Sequence, residues 1–223
     1  MTNVKPETLT EIVMILDKSG SMSGLETDTI GGYNAFLEKQ KTANGKAIVS
    51  TVLFNDGVTV LYDRLPLEQV PAMTEKDYSV DGCTALLDAM GETIHRIRKV
   101  QKNLPEEQHP DKTVFVITTD GLENASRTYT YDKVKRMVEK RKEKNGWEFL
   151  FLGANIDAIE VAGQVGIAKD RAVNFVNDAK GTSLNYSSLS KAVCEMRAMP
   201  GAALPEDWKA DIEEDFKKRS KIR

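Results

Sequence analysis

Residues 11–24 read EIVMILDKSGSMSG, and this stretch decides the fold. Its first part, Ile12–Leu16, is apolar without interruption, which is typical of a strand that is covered on both faces of a parallel sheet. Two later runs, Val114–Ile117 and Phe149–Leu152, have the same character. Segments with helical spacing of apolar residues lie between these runs, so strand and helix alternate along the chain. This alternation predicts a mostly parallel sheet with helices on both faces.

One connection departs from the alternation. The runs Ala47–Phe54 and Val58–Tyr62 are separated only by residues 55–57, which read NDG. Because an Asp-Gly pair tolerates positive φ, it favours a tight hairpin, and the second run is predicted to be an antiparallel edge strand. A weaker sixth strand is predicted over Ala172–Val176. The expected fold class is therefore α/β: a doubly wound, Rossmann-like sheet of about six strands, mostly parallel, with one antiparallel edge strand.

Composition and charge exclude several classes of protein. The chain has 223 residues, of which 40% are hydrophobic and 29% charged, a profile typical of a soluble globular protein. The 31 basic and 34 acidic side chains give a net charge of −3, which argues against nucleic-acid binding through phosphate contacts. No apolar run approaches the roughly 20 residues that span a bilayer. Two cysteines and no signal-peptide pattern at the N-terminus lead us to expect a cytoplasmic protein.

The composition shifts once, around residues 199–201, which read MPG. We therefore predict a main domain over residues 11–199 and a helical extension over residues 200–223. In this extension Trp208, Ile212 and Phe216 recur at intervals of four residues and form one apolar stripe. The stripe favours a helix packed on the same domain, and the alternative is a helix that binds a partner.

Acidic residues terminate two of the apolar strands. Asp17 follows Ile12–Leu16, and Asp120 follows Val114–Ile117 after two threonines. In open α/β sheets ligands bind beyond the carboxyl ends of the strands, at the point where the strand order reverses. Right-handed crossovers, with the hairpin at one edge, place these two strands side by side. We therefore expect the two carboxylates to face each other across this point.

Three hydroxyl groups accompany the carboxylates. Ser19 and Ser21 occupy alternate positions after Asp17, and the glycines of this loop allow the side chains to converge. Thr84 supplies a third hydroxyl just before a helix that is predicted to start near Ala85. Taken singly, these residues are common helix caps or turn residues. Together they form an all-oxygen set that suits a hard cation, Mg²⁺ first and then Mn²⁺ or Ca²⁺.

This pattern resembles the metal-ion-dependent adhesion site of the von Willebrand factor type A domain family. The matching residues are Asp17, Ser19, Ser21, Thr84 and Asp120, the last within Thr-Asp-Gly. The resemblance extends over about residues 11–199. It implies a doubly wound sheet, a Mg²⁺ at the carboxyl edge of the sheet, and a protein partner whose carboxylate completes the coordination. One departure is Cys83, where a smaller residue is more usual, and we expect Cys83 to be buried.

Two other functions compete with a binding module. A phosphotransferase or phosphoester hydrolase of the haloacid-dehalogenase type would use Asp17 as nucleophile, but Ser19 stands where its second aspartate is needed. A nucleotide hydrolase needs a hydroxyl after Gly-Lys, and Ala47 follows residues 45–46. We therefore expect a protein that is not an enzyme. The third possibility is a structural assembly subunit whose metal site is vestigial.

Overall fold

The computed structural model describes residues 8–198 and 201–220, so the predicted boundary between residues 199 and 200 lies outside the described residues. In this part of the chain the strands are β1 (Leu9–Asp17), β2 (Lys46–Phe54), β3 (Val58–Pro66), β4 (Lys112–Thr119), β5 (Glu148–Ala154) and β6 (Ala172–Phe175). The α-helices are α1 (Glu26–Lys41), α2 (Leu86–Lys102), α3 (Tyr131–Asn145), α4 (Ala158–Gln164), α5 (Ala179–Ala198) and α6 (Ala210–Ser220).

The six strands form one sheet in the order β3-β2-β1-β4-β5-β6. All neighbouring pairs are parallel except β2 and β3, which form the antiparallel hairpin at one edge. In the middle of the sheet β1 pairs with β4, with Ile12 opposite Val114 and Leu16 opposite Thr118. The strand order reverses between these two strands, which is where such folds bind ligands. The predicted fold class is confirmed.

Helices cover both faces of the sheet, which explains the uninterrupted apolar strands. Alternate residues of β1 belong to two separate cores. Met14 and Leu16 pack on the side of α1, α5 and α6, whereas Val13 and Ile15 pack on the side of α2, α3 and α4. A strand placed between two helical layers has no solvent-facing side, so polar residues are not needed at every second position.

The strands extend beyond the apolar runs that predicted them. β1 begins at Leu9, three residues before Ile12, and includes the buried Glu11. The carboxylate of Glu11 accepts a hydrogen bond from Gln101 and forms an ion pair with Arg64. Burial raises the pKa of Glu11, and the charge of Arg64 offsets part of that rise. Partners supplied by distant elements therefore allow a charged residue within a buried strand.

The helices α1 and α5 approach closely because residue 32 has no side chain. A Cβ atom at Gly32 would lie 2.2 Å from Cδ2 of Tyr186, a buried residue of α5. The preceding Gly31 has no atom within 4 Å of the corresponding position. A side chain at residue 31 would therefore meet open space, whereas one at residue 32 would clash with α5.

Alanine substitutions at these glycines are expected to change stability in opposite directions. Gly31→Ala should raise the free energy of unfolding by up to about 1 kcal/mol, because alanine favours the helix. Gly32→Ala should lower it by about 1–3 kcal/mol, because the Tyr186 ring must move. Urea denaturation of the two variants measures both changes. Stabilisation by both substitutions would show that α1 and α5 are not in close contact.

The segment after residue 200 contains α6, which lies against β6 and α5. Trp208 and Ile212 are buried in the core on that side of the sheet, and Phe216 is half-buried. The Trp208 indole Nε1 donates a hydrogen bond to the carbonyl of Asp170 at 2.9 Å. In the part of the chain that the structure describes, no helix is both long and apolar enough to cross a bilayer.

Candidate metal centre

Asp17 is the last residue of β1, and hydrogen bonds hold its carboxylate on both sides. Asp17 is only 1% exposed to solvent. Oδ1 accepts from the backbone N–H of Ser19 at 2.7 Å, and Oδ2 accepts from the Thr119 hydroxyl at 2.6 Å. The carbonyl oxygen of Asp17 also accepts a hydrogen bond from the Tyr78 hydroxyl. These contacts fix the carboxylate at the carboxyl edge of the sheet.

The three predicted hydroxyl groups converge next to this carboxylate. The Thr84 hydroxyl donates to Ser19 Oγ at 3.0 Å, and Ser19 Oγ lies 3.0 Å from Ser21 Oγ. The two loops are joined by their backbones, because the Gly20 N–H donates to the Gly82 carbonyl at 2.9 Å. Ser19 and Thr84 are buried, whereas Ser21 is exposed. The cluster is therefore open to solvent on one side.

Thr84 is held through its backbone, which leaves its hydroxyl to the cluster. Its N–H donates to Oδ1 of Asn124 at 2.9 Å, and its carbonyl accepts from the Asn124 N–H at 3.0 Å. The N-cap of α2 is Ala85, and the interpretation of Thr84 as a simple helix cap is wrong. The Thr84 hydroxyl does not cap the first turn of α2 and donates to Ser19 instead.

Asp120 directly follows β4 and is also buried. Its Oδ2 accepts from Asn177 Nδ2 at 2.8 Å, while its Oδ1 is buried and has no hydrogen-bond partner among the described residues. Burial raises the pKa of Asp120, and the nearby polar side chains of Ser21, Asn177 and Asn155 offset part of that rise. Burial raises the pKa of Asp17 as well, with a small further contribution from the charge of Asp120. No ion pair found among the described residues involves either aspartate, and two buried carboxylates without a neutralising side chain favour a bound cation.

Gly121 leaves room beside the hydroxyl groups. A Cβ atom at this position would lie 2.5 Å from Oγ1 of Thr84 and 2.9 Å from Oγ of Ser21. Only a residue without a side chain therefore keeps this space open. Together with the unpartnered oxygen of Asp120, this space fits a small cation among oxygen atoms.

The donor chemistry restricts the kind of cation. Among residues 8–198 and 201–220, no group of three or more His, Cys, Asp or Glu side chains is placed to hold a metal ion. The candidate centre consists of two carboxylates and three hydroxyls. Hard cations such as Mg²⁺, Mn²⁺ and Ca²⁺ prefer such oxygen donors, whereas soft metals prefer sulfur and nitrogen.

Gly121→Ala is expected to reduce the affinity for Mg²⁺ by about tenfold or more, because the added methyl group occupies the space beside the Thr84 and Ser21 hydroxyls. The protein should remain folded, since the added atom meets two side-chain hydroxyls and no backbone atom closer than these. Isothermal titration with Mn²⁺ and with Mg²⁺ measures the loss. Unchanged affinity in the variant would mean that the cation site lies away from Thr84 and Ser21.

Sequence reasoning missed three residues that support the predicted ones. Thr119 donates to Asp17, Tyr78 donates to the carbonyl of Asp17, and Asn177 donates to Asp120. Thr119 was within reach of sequence analysis, because it is a polar residue at the end of an apolar strand next to Asp120. Asn177 follows β6 at the same edge of the sheet, but no spacing rule connects it with β4.

The expectation that Cys83 is buried is wrong. Cys83 is exposed, and its backbone N–H donates to Oδ1 of Asp56 at 3.0 Å. This bond orients the loop so that residue 83 faces solvent while residue 84 faces the cluster. The carboxylate of Asp56 also raises the pKa of the Cys83 thiol.

No protein-family model matches the sequence, and a search of the curated proteins finds no match. Solved structures do match. Proximal thread matrix protein 1 from the mussel byssus, with a zinc-occupied MIDAS motif, superposes with a TM-score of 0.57 and 15% identity over 84% of this chain and 46% of that one. A von Willebrand factor type A protein from Catenulispora acidiphila gives a TM-score of 0.56 and 14% identity over 84% of this chain and 43% of that one.

A third match is a single domain, the vWF domain of the type V pili tip protein Mfa5 from Porphyromonas gingivalis. Its TM-score is 0.60 at 9% identity, over 88% of this chain and 98% of that domain. The chain thus spans less than half of the mussel and Catenulispora proteins but nearly all of the Mfa5 domain. The six-stranded sheet and these superpositions show that the chain has the fold of the von Willebrand factor type A domain.

Proposed function

We propose that this protein is a binding module that uses a divalent cation to hold a protein partner. The cation, Mg²⁺ in the first place and Mn²⁺ or Ca²⁺ as alternatives, would be bound by Asp17, Ser19, Ser21, Thr84 and Asp120. The observation that carries the proposal is that the hydroxyls of Ser19, Ser21 and Thr84 lie together beside Asp17, with Ser21 and Thr84 next to the open space at Gly121. The zinc-occupied MIDAS motif of the mussel protein supports a metal at this place in the fold.

The ligand set determines how a partner would be held. Asp17 and Asp120 together carry two negative charges, and the three hydroxyls are neutral. A bound divalent cation is therefore formally balanced but keeps its attraction for a further anion. We propose that an Asp or Glu side chain of the partner completes the coordination. The exposed Ser21 marks the side from which that side chain can approach.

Exposed apolar side chains beside the site support a protein partner. Leu122, two residues after Asp120, is 64% exposed, and Ile159 in the first turn of α4 is 41% exposed. Both follow neighbouring strands, β4 and β5, at the carboxyl edge of the sheet. Large apolar side chains next to a charged centre are typical of protein interfaces, whose cores are apolar and whose charged contacts give specificity.

Catalysis is less well supported. The bonds from the Ser19 N–H and the Thr119 hydroxyl leave lone pairs on both oxygens of Asp17, so what disfavours catalysis is the missing acid–base partner. The site described here contains no histidine, and Ser19 occupies the position where the phosphotransferases place a second aspartate.

A cytoplasmic location is part of the proposal, and the two free cysteines, Cys83 and Cys194, support it.

The proposal is tested first with the cation alone. Titration of Mn²⁺ and Mg²⁺ into chelator-treated protein should show one site in the wild type and none in Thr84→Ala or Asp120→Ala. Thr128→Ala is the matched control, because Thr128 is exposed in the neighbouring loop and its hydroxyl has no role in the cluster. A wild type that binds neither cation would leave the vestigial assembly subunit as the better explanation.

The partner step uses a peptide selected in Mg²⁺ from a random display library. Its binding should disappear in EDTA and after replacement of one acidic residue by the corresponding amide. Undiminished affinity in EDTA would place the interaction surface elsewhere. Turnover of a panel of phosphoesters by the wild type, lost in Asp17→Asn, would instead favour the enzyme.

A further inference from the structure

The Asn177 side chain reaches the candidate metal centre from the turn between β6 and α5. Its Nδ2 donates to Oδ2 of Asp120 at 2.8 Å across 57 residues of sequence. Within the part of the chain that the structure describes, neither the other carboxylate oxygen, Oδ1 of Asp120, nor Oδ1 of Asn177 has a hydrogen-bond partner. Asn177 thus engages one oxygen of Asp120 and leaves the other open to a cation.

The next residue, Asp178, holds the turn that carries Asn177. Its Oδ1 accepts from the Gly181 N–H at 2.8 Å, and its carbonyl accepts from the Thr182 N–H at 2.9 Å. Its own N–H donates to the carbonyl of Val176 at 2.9 Å. Asp178 therefore fixes the backbone after Asn177 to the start of α5 and the backbone before it to itself.

The second oxygen of the Asp178 carboxylate is bound by the last turn of α6. Arg219 forms an ion pair with Oδ2 of Asp178 and a second one with Asp215, one turn earlier in the same helix. Asp215 also accepts from Lys180 of α5 at 2.7 Å. A planar guanidinium that contacts two carboxylates has a defined orientation, which a single exposed ion pair lacks.

The other end of α6 is anchored far from the metal centre. Trp208 donates to the carbonyl of Asp170, and Lys209 Nζ donates to the carbonyls of Lys169 and Ala172 at 2.8 Å. These contacts involve the first residue of β6 and residues before it, whereas Asp178 lies after β6. The two residues before α6 are thus held near the start of β6, and Arg219 in its last turn is held beside Asn177.

From these contacts we propose that Asn177 is a positioning residue for Asp120, and that α6 sets its position through Arg219 and Asp178. The inference rests on the proposed function, because it concerns the affinity of the same centre for a divalent cation. It adds a regulatory link: any event that lifts the last turn of α6 from Asp178 loosens Asn177 and weakens cation binding. Partners that take hold of α6 and partners that use the cation would then be coupled.

The test is a double-mutant cycle on Mn²⁺ affinity, measured by calorimetric titration of the full chain. Asn177→Ala is expected to weaken binding by about tenfold, the usual effect of losing a group that orients a metal ligand. Arg219→Gln should weaken it by about threefold, because Asn177 remains but its turn is no longer tied to α6. The double variant should bind no more weakly than Asn177→Ala alone, since Arg219 acts only through Asn177.

Two further variants separate positioning from general destabilisation. Lys218→Gln is the matched control: Lys218 is the neighbouring cation on α6 and pairs at 2.6 Å with Glu214, and it should leave the affinity unchanged. Arg219→Lys keeps the positive charge, so it should weaken Mn²⁺ binding less than Arg219→Gln does. Unfolding of every variant in EDTA gives the stability change for comparison.

The outcomes distinguish this inference from the proposed function. If the wild type does not bind Mn²⁺, the proposed function fails, and this inference fails with it. If the wild type binds and Asn177→Ala binds equally well, only the role of Asn177 is refuted. If both single variants weaken binding and their effects add in the double variant, Arg219 does not act through Asn177.

Discussion

Asp17→Asn is expected to abolish the stabilisation of the protein by Mg²⁺ and to leave the metal-free protein at least as stable as the wild type. A cation that binds only the folded state, at about 100 times its dissociation constant, raises the free energy of unfolding by ~2.7 kcal/mol. The variant should lose this entire increment, because the amide supplies no charge to the cation. Shape and volume stay almost the same.

The expected behaviour without metal follows from the surroundings of Asp17. Burial raises the pKa of this carboxyl above its ordinary value, with Asp120 adding to the rise. The folded state therefore disfavours the charged form, and the metal-free protein loses stability as the pH rises from the unfolded-state pKa to the raised folded-state pKa. Asparagine avoids this loss. Its oxygen can still accept from the Ser19 N–H, and its amide can donate to the Thr119 hydroxyl.

Urea denaturation at neutral pH, in EDTA and in increasing Mg²⁺, measures both effects. Glu107→Gln serves as the control, because Glu107 is exposed and precedes β4, at the amino ends of the parallel strands and away from the candidate metal centre. This variant should leave the Mg²⁺ response intact. An equal Mg²⁺ response in wild type and Asp17→Asn would exclude Asp17 from the cation site. A variant that unfolds without metal would make Asp17 a structural residue instead.

Trp208→Ala is expected to lower the free energy of unfolding by about 3–5 kcal/mol, the usual cost of removing a buried tryptophan. Trp208 is buried with Ile212 in the core beside α5 and β6. The substitution also leaves the Asp170 carbonyl without its indole donor. Both contributions lower the free energy of unfolding, and both come from contacts that hold this segment to the domain.

Thermal unfolding and the binding of a dye to exposed apolar surface detect the change. Glu214→Ala is the control, because Glu214 is exposed on α6 and its solvent-exposed pair with Lys218 contributes little to stability. An unchanged melting temperature in Trp208→Ala would mean that α6 contributes little to its own domain. The alternative function of this segment, a helix that binds a partner, would then be favoured.

Much of the fold could be predicted because it depends on local patterns. Ile12–Leu16 reads as a two-sided buried strand, and residues 55–57 read as a hairpin, without knowledge of any contact. The pattern failed at strand ends. β1 continues through Glu11, whose burial depends on Gln101 and Arg64 from other elements.

The identity of the candidate ligands could also be read from spacing, while their arrangement could not. The pattern from Asp17 to Ser21 lies within one loop, so sequence alone places those side chains together. Thr84 joins them only because the Gly20 N–H meets the Gly82 carbonyl and the two loops become neighbours. Whether these residues bind a cation remains a prediction.

The sequence by itself determined which segments form strands, that β3 is an antiparallel edge strand and which side chains are able to bind a hard cation, because these properties depend on residues close together in the chain. Only the tertiary structure decided that Cys83 faces solvent and that Asn177 engages Asp120. Each depends on the direction of a side chain and on a partner supplied by another element. Such a contact is created by packing, which no local pattern contains.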